Sequence, residues 1–427
     1  MDTQDNEIRK AVLVGVYESW EGDSFEDFLH SMDELSELTK ACNMEPVEFF
    51  RQSLEHKISA TYIGAGKVAE VKSAVAEYGA SLVIFNDTLS PIQIRNLQKD
   101  LNCEVMDRTS LILEIFRSRA RTREAKLQVE VARLSYLKPR LIGMWEKQNR
   151  QGGASGSMSS KGEGETQLEI DRRTIDHRLA QMRRELKVVE QERLTQRKKR
   201  QSSGLPLVAL VGYTNAGKST IMNSFVRMYS GDEKQVYEAD MLFATLDTTV
   251  RRIDDGNGQD FLLSDTVGFI QKLPTGLVEA FKSTLEEVKE ADLILQVVDY
   301  SDYHYKDHMT TTNKTIAELG AGDVPMIVVY NKCDLREGSQ HPRKGPEIRS
   351  ESGKNSRSIF ISAKSDDGME LLKETILETL YGFWVEETEI IPYNEGARLA
   401  AITAKCQVLS QEYLEEGTKI TYRKRSL

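Results

Sequence analysis

The apolar run Leu207-Val208-Ala209-Leu210-Val211 passes directly into Gly212-Tyr213-Thr214-Asn215-Ala216-Gly217-Lys218-Ser219-Thr220, in which a glycine and four further residues precede Gly-Lys-Ser. A buried strand that ends in a glycine-rich turn and opens into a helix, here expected over 219–228, belongs to a doubly wound α/β sheet. Successive backbone N–H groups and the positive end of the helix dipole then point into one small space, and a triphosphate fits there. Gly212 and Gly217 let the backbone wrap the phosphates without a Cβ clash, Lys218 can reach the β and γ oxygens, and the Ser219 hydroxyl can ligate Mg2+. One such motif also arises by chance, so the motifs further along the chain carry the decision.

Asp265-Thr266-Val267-Gly268 follows the apolar segment 261–264, which suits a carboxylate that holds Mg2+ through water and a glycine N–H that senses the γ-phosphate. Asn331-Lys332-Cys333-Asp334 follows the apolar segment 326–330 and discriminates most. Asp334 can accept from guanine N1–H and N2–H2, whereas adenine would leave that carboxylate unpaired at a cost of roughly 1–3 kcal/mol. GTP is therefore expected over ATP. Lys332 can lay its stem along the base, Asn331 can brace the loop, and in Ser362-Ala363-Lys364 the Ala363 N–H can reach guanine O6. Each tetrapeptide is common by itself; in this order, each behind its own strand, they specify a guanine-nucleotide site.

With 427 residues the chain exceeds one core, and roughly two to four domains are expected. Residues 1–116 alternate strand and helix patterns: a strand at 11–17, a helix at 25–42 with Asp23 or Ser24 as N-cap, a helix at 68–78 and a strand at 82–85, together a small α/β domain. Gly64-Ala65-Gly66-Lys67 lacks the spacing of a second phosphate loop and reads as a turn capping a helix. Residues 117–150 are helical in pattern, with Pro139 expected to kink or end the helix, and a second long helix is expected over 167–201. In the latter Leu168, Ile175, Met182 and Val189 repeat every seven residues, with Leu179 and Leu186 interleaved, so 117–203 reads as a long antiparallel helical hairpin. A Gly/Ser-rich loop, 151–165, separates the two helices. Segment 204–384 carries strand patterns near 207–211, 261–265, 293–299, 325–330 and 359–362, a doubly wound nucleotide-binding domain. In the remainder, 385–427, strands at 386–391, 401–409 and 419–423 suggest a small α+β domain.

The net charge of −10 argues against indiscriminate nucleic-acid coating, yet the hairpin is basic: Arg117, Arg119, Arg121 and Arg123 at one end, and Arg183, Arg184, Lys187, Arg193 and 197–200 at the other. A solvated helical face is the plain explanation; RNA phosphates are the alternative. Charged residues make up 29% and no run of about 18 apolar residues occurs, so no membrane span is expected. The acidic start lacks a signal core, which points to a cytoplasmic location with at most peripheral membrane contact. Cys42, Cys103, Cys333 and Cys406 form no C-x-x-C pair, so neither a disulfide framework nor a zinc site is expected.

Together with these motifs, Phe243-Ala244-Thr245-Leu246-Asp247, DTVGFI at 265–270, the run at 89–116, RARTREAKLQVEVARLSYLKPRL at 119–141 and GEGETQLEIDRR at 162–173 resemble the translation-factor-related GTPases, and among them the bacterial HflX family. The resemblance covers almost the whole chain. It implies that Thr245 is the switch threonine that caps Mg2+ and the γ-phosphate; the residues alone leave Thr248 and Thr249 as rivals. The chain departs from the family at Lys161-Gly162-Glu163-Gly164, where an Arg-Gly-Pro-Gly run is usual. The resemblance further implies a partner, the large ribosomal subunit with its rRNA, and GTP-dependent splitting of stalled or idle ribosomes. Assembly of large-subunit precursors is the second reading, and a monomer is the default.

Enzymes resembling Ras place Gln after Asp-x-x-Gly to orient the attacking water, but here Phe269 stands there. A low intrinsic rate, raised by a partner or a bound cation, is expected. Asn215 stands where potassium-dependent GTPases ligate K+; a turn-stabilising role weighs about equally. Lys218, Thr245 and Gly268 are the candidate catalytic groups.

Overall fold

Leu82–Phe85 is four apolar residues in succession, and in the computed structural model all four are buried in the centre of a parallel sheet. The structure describes residues 8–18, 24–151, 160–201, 204–229, 242–243, 249–254, 256, 259–271, 287–336, 344–345, 348–349 and 355–426. They fall into two compact units, one of Met1–Thr195, Asp240–Asp247 and Gln271–Lys282, the other of Gln196–Ala239, Thr248–Ile270 and Ser283–Leu427.

In the first unit β1 (Arg9–Glu18), β2 (Met44–Leu54), β3 (Leu82–Phe85) and β4 (Glu104–Asp107) lie in the order β2-β1-β3-β4, all parallel. Connecting helices are α1 (Phe25–Ala41), α2 (Ala65–Tyr78) and α3 (Pro91–Leu101), followed by α4 (Arg108–Arg119). Ser24 caps α1: its Oγ accepts from Asp27 N at 3.0 Å while Asp27 Oδ2 accepts from Ser24 N at 2.9 Å; the rival cap, Asp23, lies outside the described residues. Gly64 is the N-cap of α2, so Gly64-Ala65-Gly66-Lys67 is the first turn of a helix, as its spacing suggested. β2, which the apolar pattern did not announce, is an edge strand, the place that tolerates Pro46 beside a register shift.

α5 (Arg123–Gln151) and α6 (Ser160–Gln201) form the antiparallel pair. Arg123 meets Glu185 at 3.6 Å, Glu130 meets Arg178 at 3.4 Å and Lys138 pairs with Asp176, so one helix descends as the other climbs. The heptad seam is inward: Leu179 is buried, Ile175, Met182, Leu186 and Val189 are half-buried, and Arg183, Arg184 and Lys187 are exposed. The helical run expected from 117 breaks after Arg119, where Ala120 is extended and Thr122 Oγ1 accepts from Ala125 N at 3.2 Å to start α5. Pro139 lies inside α5 and does not end it. α6 begins at Ser160, so 160–165 is helix rather than loop; 152–159 lies outside the described residues.

The second unit holds β5 (Leu207–Gly212), β6 (Thr249–Ile253), β7 (Phe261–Asp265), β8 (Leu293–Asp299), β9 (Met326–Asn331), β10 (Ile348–Arg349) and β11 (Asn355–Phe360) in one sheet, ordered β10-β11-β9-β8-β5-β7-β6. Its five central strands are parallel and its two edges antiparallel. α7 (Lys218–Tyr229), α8 (Tyr305–Glu318) and α9 (Met369–Tyr381) cover it. Apolar side chains fill both faces, Val208, Leu210, Phe225, Leu263 and Leu295 in one cluster and Ala209, Val211, Phe269 and Ile294 in another. A three-stranded antiparallel sheet of β12 (Phe383–Ile391), β13 (Gln407–Leu414) and β14 (Gly417–Ser426), ordered β12-β14-β13, follows with α10 (Gly396–Lys405). The strand expected over 401–409 is half helix: Leu399, Ile402 and Cys406 pack on Ile391, Ile420 and Tyr422, a helical spacing within an alanine-rich stretch.

Candidate functional site

β5 delivers its glycine turn to the carboxyl end of the parallel sheet, where β7, β8 and β9 also end. Gly217 adopts φ +93°, and a Cβ there would meet Asn331 Nδ2 at 2.1 Å; a Cβ on Gly268 would meet Thr214 Cα at 2.8 Å. Close approach of another motif therefore requires glycine at both positions, and at Gly217 the left-handed backbone of the turn requires it as well. Asn331, buried at the end of β9, donates from Nδ2 to the Ala216 carbonyl at 3.0 Å and accepts from Ala363 N at 3.0 Å through Oδ1. One amide thus ties the phosphate loop to the Ser362-Ala363-Lys364 loop, the bracing role the sequence suggested. The Ala363 N–H, expected to be aimed at guanine O6, is engaged with Asn331 instead.

Lys218 is buried and its Nζ donates to the carbonyls of Gly212 at 3.1 Å and Tyr213 at 2.8 Å. Burial pushes its ammonium down to about 8, against the pull of the Asp265 carboxylate. Ser219 Oγ donates to Asp265 Oδ2 at 2.7 Å, so a hydroxyl and a carboxylate converge, the hard oxygen donors that Mg2+ takes. Thr266, fully buried, anchors the same motif by donating to the Leu210 carbonyl at 2.6 Å. Val267 is buried beside it, and Thr220 continues α7.

Phe269 is fixed to the phosphate loop on both backbone faces: its N–H donates to Gly212 O at 3.1 Å and its carbonyl accepts from Thr214 N at 2.8 Å. Its ring lies in the core cluster with Val211 and Ile294, where no water is to be oriented. Asn215 is exposed in left-handed backbone at φ +58°. Thr214 is buried, and its Oγ1 has no hydrogen-bond partner. Cys333 N donates to Ile361 O at 3.2 Å, which presents Asp334 and Lys364 as exposed side chains. Ala244, Thr245, Leu246, Asp247 and Thr248 lie outside the described residues; Phe243 is buried, and Thr249 opens β6 opposite Asp265.

Two acids at the site escaped the sequence reading. Asp299 ends β8 and holds Lys332 Nζ at 2.8 Å; Asp366 holds Arg227 of α7 at 2.5 Å, securing the loop that follows β11. The first had a signal, an acid at the carboxyl end of a predicted parallel strand, as Asp265 is. The second had none.

Family models match along most of the chain: a GTP-binding GTPase N-terminal region over 29–117, a GTP-binding GTPase middle region over 119–200 and a 50S ribosome-binding GTPase over 207–332. The chain is 42% identical to GTPase HflX of Alkalihalophilus pseudofirmus over 414 residues, 97% of this chain and 93% of that protein. It is 39% identical to GTPase HflX of Escherichia coli over 417 residues, again 97% and 93%. Among solved structures, a GTP-binding protein of Sulfolobus solfataricus in complex with GDP is similar at 22% identity over 87% of this chain and 98% of that one, with a TM-score of 0.44.

Proposed function

The chain belongs to the HflX family of GTPases and hydrolyses GTP, and from that premise we propose that GTP gates its binding to the large ribosomal subunit, where it splits stalled or idle ribosomes. What supports the reading is that one chain carries the phosphate loop, Asp265-Thr266-Val267-Gly268 and Asn331-Lys332-Cys333-Asp334 together with a long helical hairpin whose outward residues Arg183, Arg184 and Lys187 are basic and exposed. Basic helix faces follow rRNA phosphates, and the match to a 50S ribosome-binding GTPase family points to the same partner.

In this reading Asp334 selects guanine, Lys332 supports the base, and Gly212 to Thr220 with Lys218 hold the phosphates. Mg2+, when bound, neutralises phosphate charge beside Ser219 and Asp265, with Thr245 as the switch ligand. Thr245 and the Gly268 N–H sense the γ-phosphate, which orders the segments that engage the ribosome and releases them after hydrolysis. With Phe269 in the core, the intrinsic rate is low and the ribosome raises it. Asn215, exposed within the phosphate loop, would ligate a K+ that supplies the missing positive charge.

Hydrolysis in KCl and NaCl at matched ionic strength, with and without large subunits, tests both sources of activation. KCl is expected to raise the rate about tenfold or more over NaCl, since a finger-like charge is worth at least that, and Asn215→Ala to abolish the difference. Equal rates in both salts rule out the potassium role, and a rate unmoved by subunits rules out the ribosomal one.

A further inference from the structure

The stretch from the end of β8 into the first turn of α8 belongs to none of the nucleotide motifs, yet it touches two of them. Asp299 Oδ2 holds Lys332 Nζ at 2.8 Å, while its Oδ1 accepts from Ser301 N at 3.0 Å and from Ser301 Oγ at 2.5 Å. The following loop thus fixes one carboxylate oxygen and leaves the other to the lysine. Lys332 stands in left-handed backbone, φ +60°, a conformation that a side chain adopts only where its surroundings hold it. Arg336, just past the same motif, donates to the Tyr300 carbonyl at 3.1 Å, and its guanidinium lies 4.2 Å from the centre of the Tyr300 ring. The base-reading loop is therefore gripped at Lys332 and at Arg336.

At the other end of the stretch, His308 stacks on Tyr213, with ring centroids 3.8 Å apart and planes 8° from parallel. Both rings are buried, and Asp302 Oδ2 lies 3.7 Å from His308 Nδ1. Tyr213 is the phosphate-loop residue whose carbonyl accepts from Lys218 Nζ at 2.8 Å and whose backbone pairs with Phe269. A flat ring pressed against Tyr213 fixes the carbonyl that aims the lysine.

We propose that Asp299 and His308 are positioning residues for the nucleotide, Asp299 acting through Lys332 on the base and His308 through Tyr213 on the phosphates. The proposal rests on the nucleotide-site reading above and adds to it a brace between the two halves of the site. If the two residues only filled the core, their loss would lower stability and leave the affinity of folded protein unchanged.

The test is titration of the full chain with fluorescently labelled GDP, alongside its melting temperature, for His308→Ala, His308→Phe, Asp299→Asn, Lys332→Met and the Asp299→Asn/Lys332→Met double variant. His308→Ala is expected to weaken binding about tenfold, below the roughly hundredfold that a misplacement of about 1 Å can cause. The phenyl of His308→Phe restores the stack and brings affinity back to within about twofold of the original. Asp299→Asn is expected to weaken binding about tenfold, with Lys332→Met adding little once Asp299 is gone, since the two act as one unit. Wild-type affinity with a lowered melting temperature, no rescue by phenylalanine, or additive losses at Asp299 and Lys332 would overturn the proposal. The Asp299 arm stands whether or not His308→Ala folds. Asp334→Asn serves as the control: a wild-type protein that binds guanine and adenine nucleotides equally, with no change on Asp334→Asn, contradicts the nucleotide-site reading itself.

Discussion

Lys218 shows how much a single residue can carry. In the free protein its ammonium is buried against two carbonyls and pushed from the ordinary 10.5 down to about 8. The folded chain therefore loses this proton before the unfolded chain does. Between about 8 and 10.5 the unfolded state binds more protons, so this group's contribution makes stability rise with pH across that window. Phosphate oxygens reverse the effect by favouring the charged form. Nucleotide binding should then take up a proton, and affinity should fall about tenfold between pH 7 and pH 9. Calorimetry of GDP binding in buffers of different ionisation enthalpy measures the uptake; none at pH 8.5 would show that Lys218 is charged throughout. At this scale the sequence was highly informative where the chemistry requires one residue type, as at Gly217, Asn331 and Asp265. It was silent where a side chain acts through another, because Asp366 and His308 owe their roles to neighbours distant in the chain.

Among the elements, α5 illustrates why local rules were overruled. Pro139 removes a helix N–H, yet the helix is pinned on both sides of it. Tyr136 donates to the fully buried Asp107, Ser110 Oγ lies 3.1 Å from the phenol oxygen, and Arg140 reaches Tyr136 O at 2.9 Å, Leu89 O at 3.0 Å and Asp107 Oδ2 at 3.3 Å. The Arg140 guanidinium also covers the Tyr136 ring at 3.3 Å. Removing Arg140 strips a buried carboxylate of its ion-pair partner. Arg140→Ala should therefore destabilise α5 and β4 by about 3 kcal/mol, and Tyr136→Phe by about 1–2 kcal/mol. Hydrogen exchange of the amides around 104–107 and 132–140 reads the change; unaltered protection in Arg140→Ala would mean that the anchor contributes nothing. The edge strands β2 and β6 stayed hidden for a related reason, since an edge needs little apolar surface and Thr249–Ile253 carries two arginines. Central strands, buried on both faces, were legible from their apolar runs.

For the whole molecule, the hairpin and the nucleotide site are two halves of one proposed device, a basic RNA-facing element and a switch that decides when it engages. The heptad seam made the hairpin readable, because Ile175, Leu179, Met182 and Leu186 turn inward and leave Arg183, Arg184 and Lys187 outside. Which partner those charges meet is not a property of periodicity, and it entered through the resemblance and the family match. Among the described residues, no helix is long and apolar enough to cross a membrane. The proposed switch is tested by co-sedimentation of the chain with purified large ribosomal subunits in GDP and in a non-hydrolysable GTP analogue, each at low and moderate salt. The analogue should hold the protein on the subunit, GDP should not, and binding should fall steeply with salt and on neutralising Arg183, Arg184 and Lys187. Equal sedimentation in the two nucleotides would exclude a GTP-gated contact.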